Sequence, residues 1–245
     1  MRQVRGGAVS RVRGISFDFG HVLVGLDLEE VASRLRPHCA AVDLDAVRAV
    51  MPVAYAAHDR VVAEGGGHEA GWRALVRTLV VAGAPGIVDA DAMVEALWQG
   101  QATRNLWRHV PPPARTMLDA LAAQRIPLVI TSNSEGHLAA LVRELGLDHY
   151  FRRVLDSGVL GIAKPDRRIF ALAAETLGVP MAEMVHVGDS ESADVVGAID
   201  AGAQAIRFDG FVPGAAARPT RAYLRLDDHG ALLAALLAAT SSKSS

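Results

Sequence analysis

Gly14-Ile15-Ser16-Phe17-Asp18, followed at once by Phe19-Gly20, is a short apolar run that ends on a carboxylate and a glycine turn. The same shape recurs down the chain. Residues 126–130 run into Thr131-Ser132-Asn133, residues 184–187 into Gly188-Asp189, and 203–208 and, more weakly, 223–226 complete the set. None of these runs alternates apolar with polar side chains, which is the pattern of strands covered on both faces. Helical patterns stand between them at 113–124, 137–145, 168–177 and 192–201. Gly146, Gly178 and Gly202 follow three of those where a helix stop is expected. Strand and helix in alternation predict an α/β fold built on a doubly wound parallel sheet.

Residues 27–108 break that rhythm. They hold helical patterns at 28–35, 44–50 and 71–81, the loop Glu64-Gly65-Gly66-Gly67-His68, and no convincing strand. Val110-Pro111-Pro112-Pro113 then marks a rigid re-entry into the alternating pattern. The expected organisation is a core of residues 13–26 and 109–240 interrupted by a helical insert at 27–108, with a flexible segment at 1–12 and a flexible tail at 241–245.

Composition narrows the partners. The chain has 245 residues, 51% of them hydrophobic, and a formal net charge of −2, so it can bury a core but carries no basic surplus for nucleic acid or an anionic membrane. The single cysteine, Cys39, has no partner for an internal disulfide, which fits a reducing cytoplasm. No apolar run reads as a signal peptide or approaches the roughly 20 residues of a membrane helix. The expectation is a soluble cytoplasmic protein, monomer or homodimer, acting on a small molecule.

In an open parallel sheet, ligands bind beyond the carboxyl ends of the strands. Asp18, Ser132-Asn133 and Gly188-Asp189 all fall at that edge, and Lys164-Pro165 lies in a connecting loop. One strand-end aspartate is unremarkable as a turn residue, but three such ends together are not. The chemistry they suit is phosphoryl transfer, in which a carboxylate attacking a phosphate dianion needs cations and fixed dipoles around it. Mg²⁺ prefers oxygen donors, and Asp18, Asp189 and the backbone carbonyl of Gly20 can supply them. Lys164 offers a compact positive charge to a phosphoryl oxygen and to the nucleophile, and Ser132 a hydroxyl. Asn133 is read with Ser132 as phosphate-binding, either orienting that loop or capping the helix that follows.

These segments, in this order, resemble the haloacid dehalogenase (HAD) superfamily. Ile15-Ser16-Phe17-Asp18-Phe19-Gly20-His21-Val22-Leu23 is similar to its first motif, Val129-Ile130-Thr131-Ser132-Asn133 to its second, Gly161-Ile162-Ala163-Lys164-Pro165-Asp166 to its third, and Val187-Gly188-Asp189-Ser190-Glu191-Ser192-Ala193-Asp194 to its acidic fourth. The resemblance spans about residues 13–230. It implies a Rossmann-like core, Asp18 as covalent nucleophile, Ser132 and Lys164 on the phosphoryl group, Asp189 on Mg²⁺, and Asp194 supporting the metal. It also implies that the insert is a helical cap. Phosphate-ester hydrolysis through an aspartyl phosphate is the commonest chemistry of such proteins. A 2-haloacid-type dehalogenase, or a weakly active binding or regulatory protein, are the other readings.

One position departs from the family's phosphatases. Their second aspartate, two residues past the nucleophile, serves as general acid and base; here it is Gly20. General acid–base assistance contributes about 10²–10⁴-fold, against rate enhancements that reach roughly 10²¹ for phosphate monoesters, so its loss weakens such an enzyme without abolishing it. Substrates with an acidic leaving oxygen, such as sugar 1-phosphates or acyl phosphates, suffer least. His21, His58 and His68 are candidates for a replacement acid, each with an ordinary structural role as its alternative. Glu191 is expected either near the metal or as a solvated residue at a helix start.

Overall fold

The computed structural model describes residues 9–211 and 223–241. Expectations for residues 1–8 and 242–245 lie outside the described residues. The chain divides into two compact units, one holding residues up to Gly25 together with His109–Phe211 and the C-terminal region, the other holding Leu26–Arg108.

The first unit is a mixed α/β layer structure. Its strands β1 (Gly14–Phe17), β4 (Leu128–Ser132), β5 (Val154–Asp156), β6 (Met184–Gly188), β7 (Gln204–Phe208) and β8 (Leu224–Leu226) form one sheet in the order β5-β4-β1-β6-β7-β8. Every pairing is parallel. Its helices are α5 (Pro112–Ala123), α6 (Leu138–Glu144), α7 (Ser157–Leu160), α8 (Arg167–Leu177), α9 (Gly197–Ala201) and α10 (His229–Ser241). The unbroken apolar runs have the predicted cause, since β1, β4 and β6 are buried at every position. Ile169, Phe170, Ala173 and Leu177 of α8 cluster with Val129, Leu155 and Met184 of the sheet.

Several boundaries differ from the sequence reading. The second strand starts at Leu128 rather than Ile126, because the Ile126 N–H donates to Leu121 O and closes the end of α5. The edge strand β5 has no counterpart in the sequence reading: at 3 residues it is too short for a periodic signal. The helix expected over 192–201 is two pieces, a wider π-helical turn at Glu191–Val196 followed by α9. Within the segment expected to be flexible, the Ser10 N–H donates to Gln204 Oε1 at 2.7 Å and Val12 is buried.

Linking strands β2 (Gly25–Leu26) and β3 (Trp107–His109) pair with each other in a two-stranded sheet. The second unit is helical: α1 (Leu28–Leu35), α2 (Leu44–Ala63), α3 (Gly67–Gly83) and α4 (Ala90–Gly100). Asp27, Asp43 and Asp89 cap α1, α2 and α4 by accepting backbone N–H bonds in the first turn. The sequence reading ends α2 at Val50, two residues before Pro52, but the helix runs on through that proline to Ala63, carried by packing against α3. Helix α4 is a further element that the sequence reading lacks. Trp72 of α3 is buried against Trp98 of α4 and Trp107 of β3, with ring centroids 5.0 and 6.4 Å away, so packing among these elements accounts for all three. Cys39 is a half-buried thiol that donates to Leu35 O. No helix among the described residues is long and apolar enough to cross a membrane.

Candidate active site

Strand register assembles the site. Phe17 pairs with Ile130 on one side and Val187 on the other. Asp18 is therefore level with Thr131 and Gly188, and Ser132 and Asp189 each lie one residue farther along the flanking strands. The Asp18 N–H donates to Val187 O at 2.8 Å, so the backbone of the nucleophile candidate is tied to its neighbour. All of these residues sit at the carboxyl edge of the sheet, where parallel sheets bind ligands.

At the centre is a buried ion cluster. Lys164 Nζ donates to Asp18 Oδ1 at 2.8 Å and to Asp194 Oδ1 at 2.5 Å. Burial works against the Lys164 ammonium, but the charges of Asp18 and Asp194 outweigh it and push its pKa above the usual lysine range. Burial likewise opposes ionisation of Asp194, yet the Lys164 charge and the hydrogen bond from His186 hold its carboxyl well below the usual carboxylate range. Asp194 Oδ2 accepts the Ser190 N–H at 2.9 Å. The π-helical turn makes room for this arrangement, and Gly188 is required by it: a Cβ there would lie 2.2 Å from Asp194 Cγ.

Asp18, Asp189 and Asp194 each offer a carboxylate oxygen, and these oxygens lie within 4.8 Å of one another. Hard oxygen donors converging on one point fit a divalent cation such as Mg²⁺. Gly20 follows in the same loop. His21 Nδ1 is 3.3 Å from Asp189 Oδ2, and the residue takes a left-handed backbone conformation with φ 58°. His58 and His68 belong to the other unit, on α2 and α3.

The loops beside β4 are fixed by Asn133, in the loop-orienting role the sequence allows it, and by side chains that the sequence reading overlooks. Asn133 spends its amide on the main chain of Lys164, donating from Nδ2 to Lys164 O at 2.9 Å and accepting the Lys164 N–H at 2.8 Å. It thereby ties the loop after Ser132 to the lysine. Asp156, at the end of β5, accepts the N–H groups of Gly136, Leu138 and Gly158. Glu191, half-buried at the start of the π-helical turn, accepts from Arg207 Nη1 at 3.1 Å and from the Tyr223 hydroxyl. Arg207 also donates to Asp209 at 3.0 Å, so this cluster ties the π-helical turn to β7 and β8. The available signal for it is a charged residue inside an otherwise apolar strand, Arg207 in Ala205-Ile206-Arg207-Phe208.

His229, on the C-terminal helix, holds the loop that follows Asp18. Its Nε2–H donates to Val22 O at 2.8 Å, within a cluster that includes Phe208 and Phe211. Burial lowers its pKa, with the Val22 bond and Asp228 opposing. The fold therefore prefers the neutral ring, and its contribution is full above about pH 6.5 and lost as pH falls through the lowered value. Chemical-denaturation midpoints measured between about pH 7.5 and 5 should fall with acid in the parent. His229→Gln, which keeps a donor and cannot titrate, should lose that part of the slope; an unchanged slope would assign it elsewhere.

A family model described as haloacid dehalogenase-like hydrolase matches residues 12–202. The mouse haloacid dehalogenase-like hydrolase domain-containing protein 3 is 30% identical over 194 residues, 76% of each chain. The Escherichia coli 5-amino-6-(5-phospho-D-ribitylamino)uracil phosphatase YigB is 41% identical over 102 residues, and the match spans 41% of its length and 40% of this chain. Among solved structures, the Bacillus subtilis putative HAD-hydrolase YfnB bound to magnesium superposes with a TM-score of 0.69 at 17% identity, over 93% of this chain and 99% of that one.

Proposed function

This chain belongs to the haloacid dehalogenase-like hydrolases, and on that premise we propose that it is a Mg²⁺-dependent phosphatase of small phosphorylated metabolites whose nucleophile is Asp18. The observation that carries the reading is the Lys164 ammonium, buried between Asp18 and Asp194 beside a third carboxylate, Asp189. Such a cluster has little use in a purely structural role, because buried charges are expensive unless paired. It has a direct use where a carboxylate must approach an anionic phosphoryl group.

Lys164 fixes the plane of the Asp18 carboxylate through Oδ1 and offsets part of its charge. Ser132, one residue past the level of Asp18 on β4, presents its hydroxyl to a phosphoryl oxygen. Asn133 keeps that loop and Lys164 together. A carboxylate oxygen of Asp18 attacks phosphorus, the bond to the leaving oxygen breaks, and that oxygen departs as an anion that takes its proton from solvent. Water then attacks the phosphorus of the aspartyl phosphate, releasing phosphate and restoring Asp18. Asp18, Asp189 and the Gly20 carbonyl, supported by Asp194, would hold the metal, which when bound shields the charge of the phosphoryl group. With glycine where the general acid is expected, sugar 1-phosphates and acyl phosphates are the preferred class.

The test is a panel of sugar, nucleotide and acyl phosphates. Phosphate release is expected to require Mg²⁺, to vanish with EDTA and to return when Mg²⁺ is restored. EDTA-resistant halide release from a 2-haloacid, with no phosphate release, would replace this reading by the dehalogenase one. Ligand binding without turnover across the panel would favour a binding or regulatory protein.

A further inference from the structure

Beneath the Asp18–Lys164–Asp194 cluster, three polar side chains interrupt the apolar strands. Ser16 of β1 is the register partner of His186 on β6 and of Val129 on β4, and Thr131 lies two residues past Val129. The period of 2 in a strand puts Ser16, Thr131 and His186 on one face of the sheet, the face that also carries Asp18. All three are fully buried. The Ser16 hydroxyl is 2.8 Å from Thr131 Oγ1 and 2.9 Å from His186 Nδ1, and His186 Nε2 is 3.0 Å from Asp194 Oδ1. The Phe170 ring meets the imidazole at 5.2 Å and 80°, closing its other side with apolar carbon.

Burying three polar groups in a strand layer is costly unless each finds a partner, and here each does. The ends of this hydrogen-bonded chain are informative. Asp194 is held ionised by Lys164, and a carboxylate only accepts. His186 must therefore carry its proton on Nε2 and donate it to Asp194 Oδ1, the same oxygen that receives Lys164. Ser16 engages Nδ1 and fixes the ring. Asp194 is thus held at both oxygens, by His186 and by the Ser190 N–H, in the one position from which it can hold Lys164 against Asp18.

We propose that His186, aligned by Ser16 and Thr131, is a positioning residue that sets Lys164 against the nucleophile by fixing Asp194. This rests on the reading of Asp18 and Lys164 as the reactive pair. The role requires a donor where Nε2 stands and not merely a filled space. In His186→Gln the amide nitrogen falls close to the former Nε2; in His186→Asn it falls near the former Nδ1; His186→Phe keeps the ring volume and contact with Phe170 but has no donor.

Two measurements test this. With para-nitrophenyl phosphate as probe, kcat is expected to fall by about 10–100-fold in His186→Phe and His186→Asn at unchanged KM, with most of it recovered in His186→Gln. In substrate-free protein, NMR should show an exchange-protected imidazole proton on Nε2 and a protected Lys164 ammonium, the latter weakened in the Phe and Asn variants and retained in Gln. Should His186→Phe fail to fold, Ser16→Ala leaves the ring present and removes its Nδ1 partner together with the bond to Thr131, with the same expected loss of the Lys164 signal. Equal kcat in Asn and Gln variants, wild-type kcat in Phe, or an unprotonated Nε2 would each overturn the proposal. If the parent protein hydrolyses no phosphoester, the proposed function fails by itself, and the NMR signals still decide the role of His186.

Discussion

Asp18→Asn is expected to lower kcat by about 10⁴-fold or more while the protein stays folded, because removing a covalent nucleophile costs on that scale. Asparagine is nearly isosteric and keeps an oxygen to accept from Lys164 Nζ, which stands 2.8 Å from Asp18 Oδ1 in the parent. Its amide, however, cannot form an acyl phosphate. The melting temperature should therefore move little while turnover is lost. A second readout separates nucleophile from bystander: rapid acid quenching of the parent with substrate should leave phosphate on the peptide that contains Asp18, and the variant should carry none. Metal-dependent turnover persisting in Asp18→Asn would refute the assignment.

Lys164→Met is expected to produce the largest loss of stability, about 3–5 kcal/mol, the scale for breaking a buried charge pair by removing one partner. Methionine approximates the length of the side chain, so the effect is electrostatic rather than a cavity. The side chain is only 2% exposed and is the shared partner of Asp18 and Asp194, which would be left facing each other without a cation. The pH dependence has a definite sign. In the parent, Lys164 and His186 hold the Asp194 carboxyl below its usual range, so this stabilisation is present above the unfolded carboxylate pKa of about 4 and fades as pH falls through the lowered value. The stability gap between parent and variant should therefore narrow in acid and be widest near neutrality. Denaturant midpoints across that range measure it. A gap that is small at neutral pH, or independent of pH, would show that the cluster is not held together by the lysine charge.

Much of the fold is legible in the sequence because burial writes itself into strand composition. Residues 14–17, 128–132 and 184–188 are buried throughout, and no polar face had to be reserved for water, so their apolar runs stand out against the helical patterns. β5 leaves no such mark because 3 residues are shorter than any period can reveal, and α4 because its apolar face at Met93, Val94 and Leu97 is brief. Pro52 hides the second half of α2, since local stereochemistry argues for a stop that packing overrides.

Sequence alone determined which groups are candidates for the site: Asp18, Ser132, Lys164 and Asp189 are each the polar terminus or connector of an apolar run, and motif order ties them together. Tertiary structure decided what each one touches. It joined Lys164 to both Asp18 and Asp194 across 146 and 30 residues of chain, turned Asn133 onto the lysine backbone, and placed Ser16 opposite His186 by strand register. Composition and spacing encode burial and local periodicity, which are properties of one segment at a time. The pairing of charges depends on which strands become neighbours, and that is fixed only when the sheet closes.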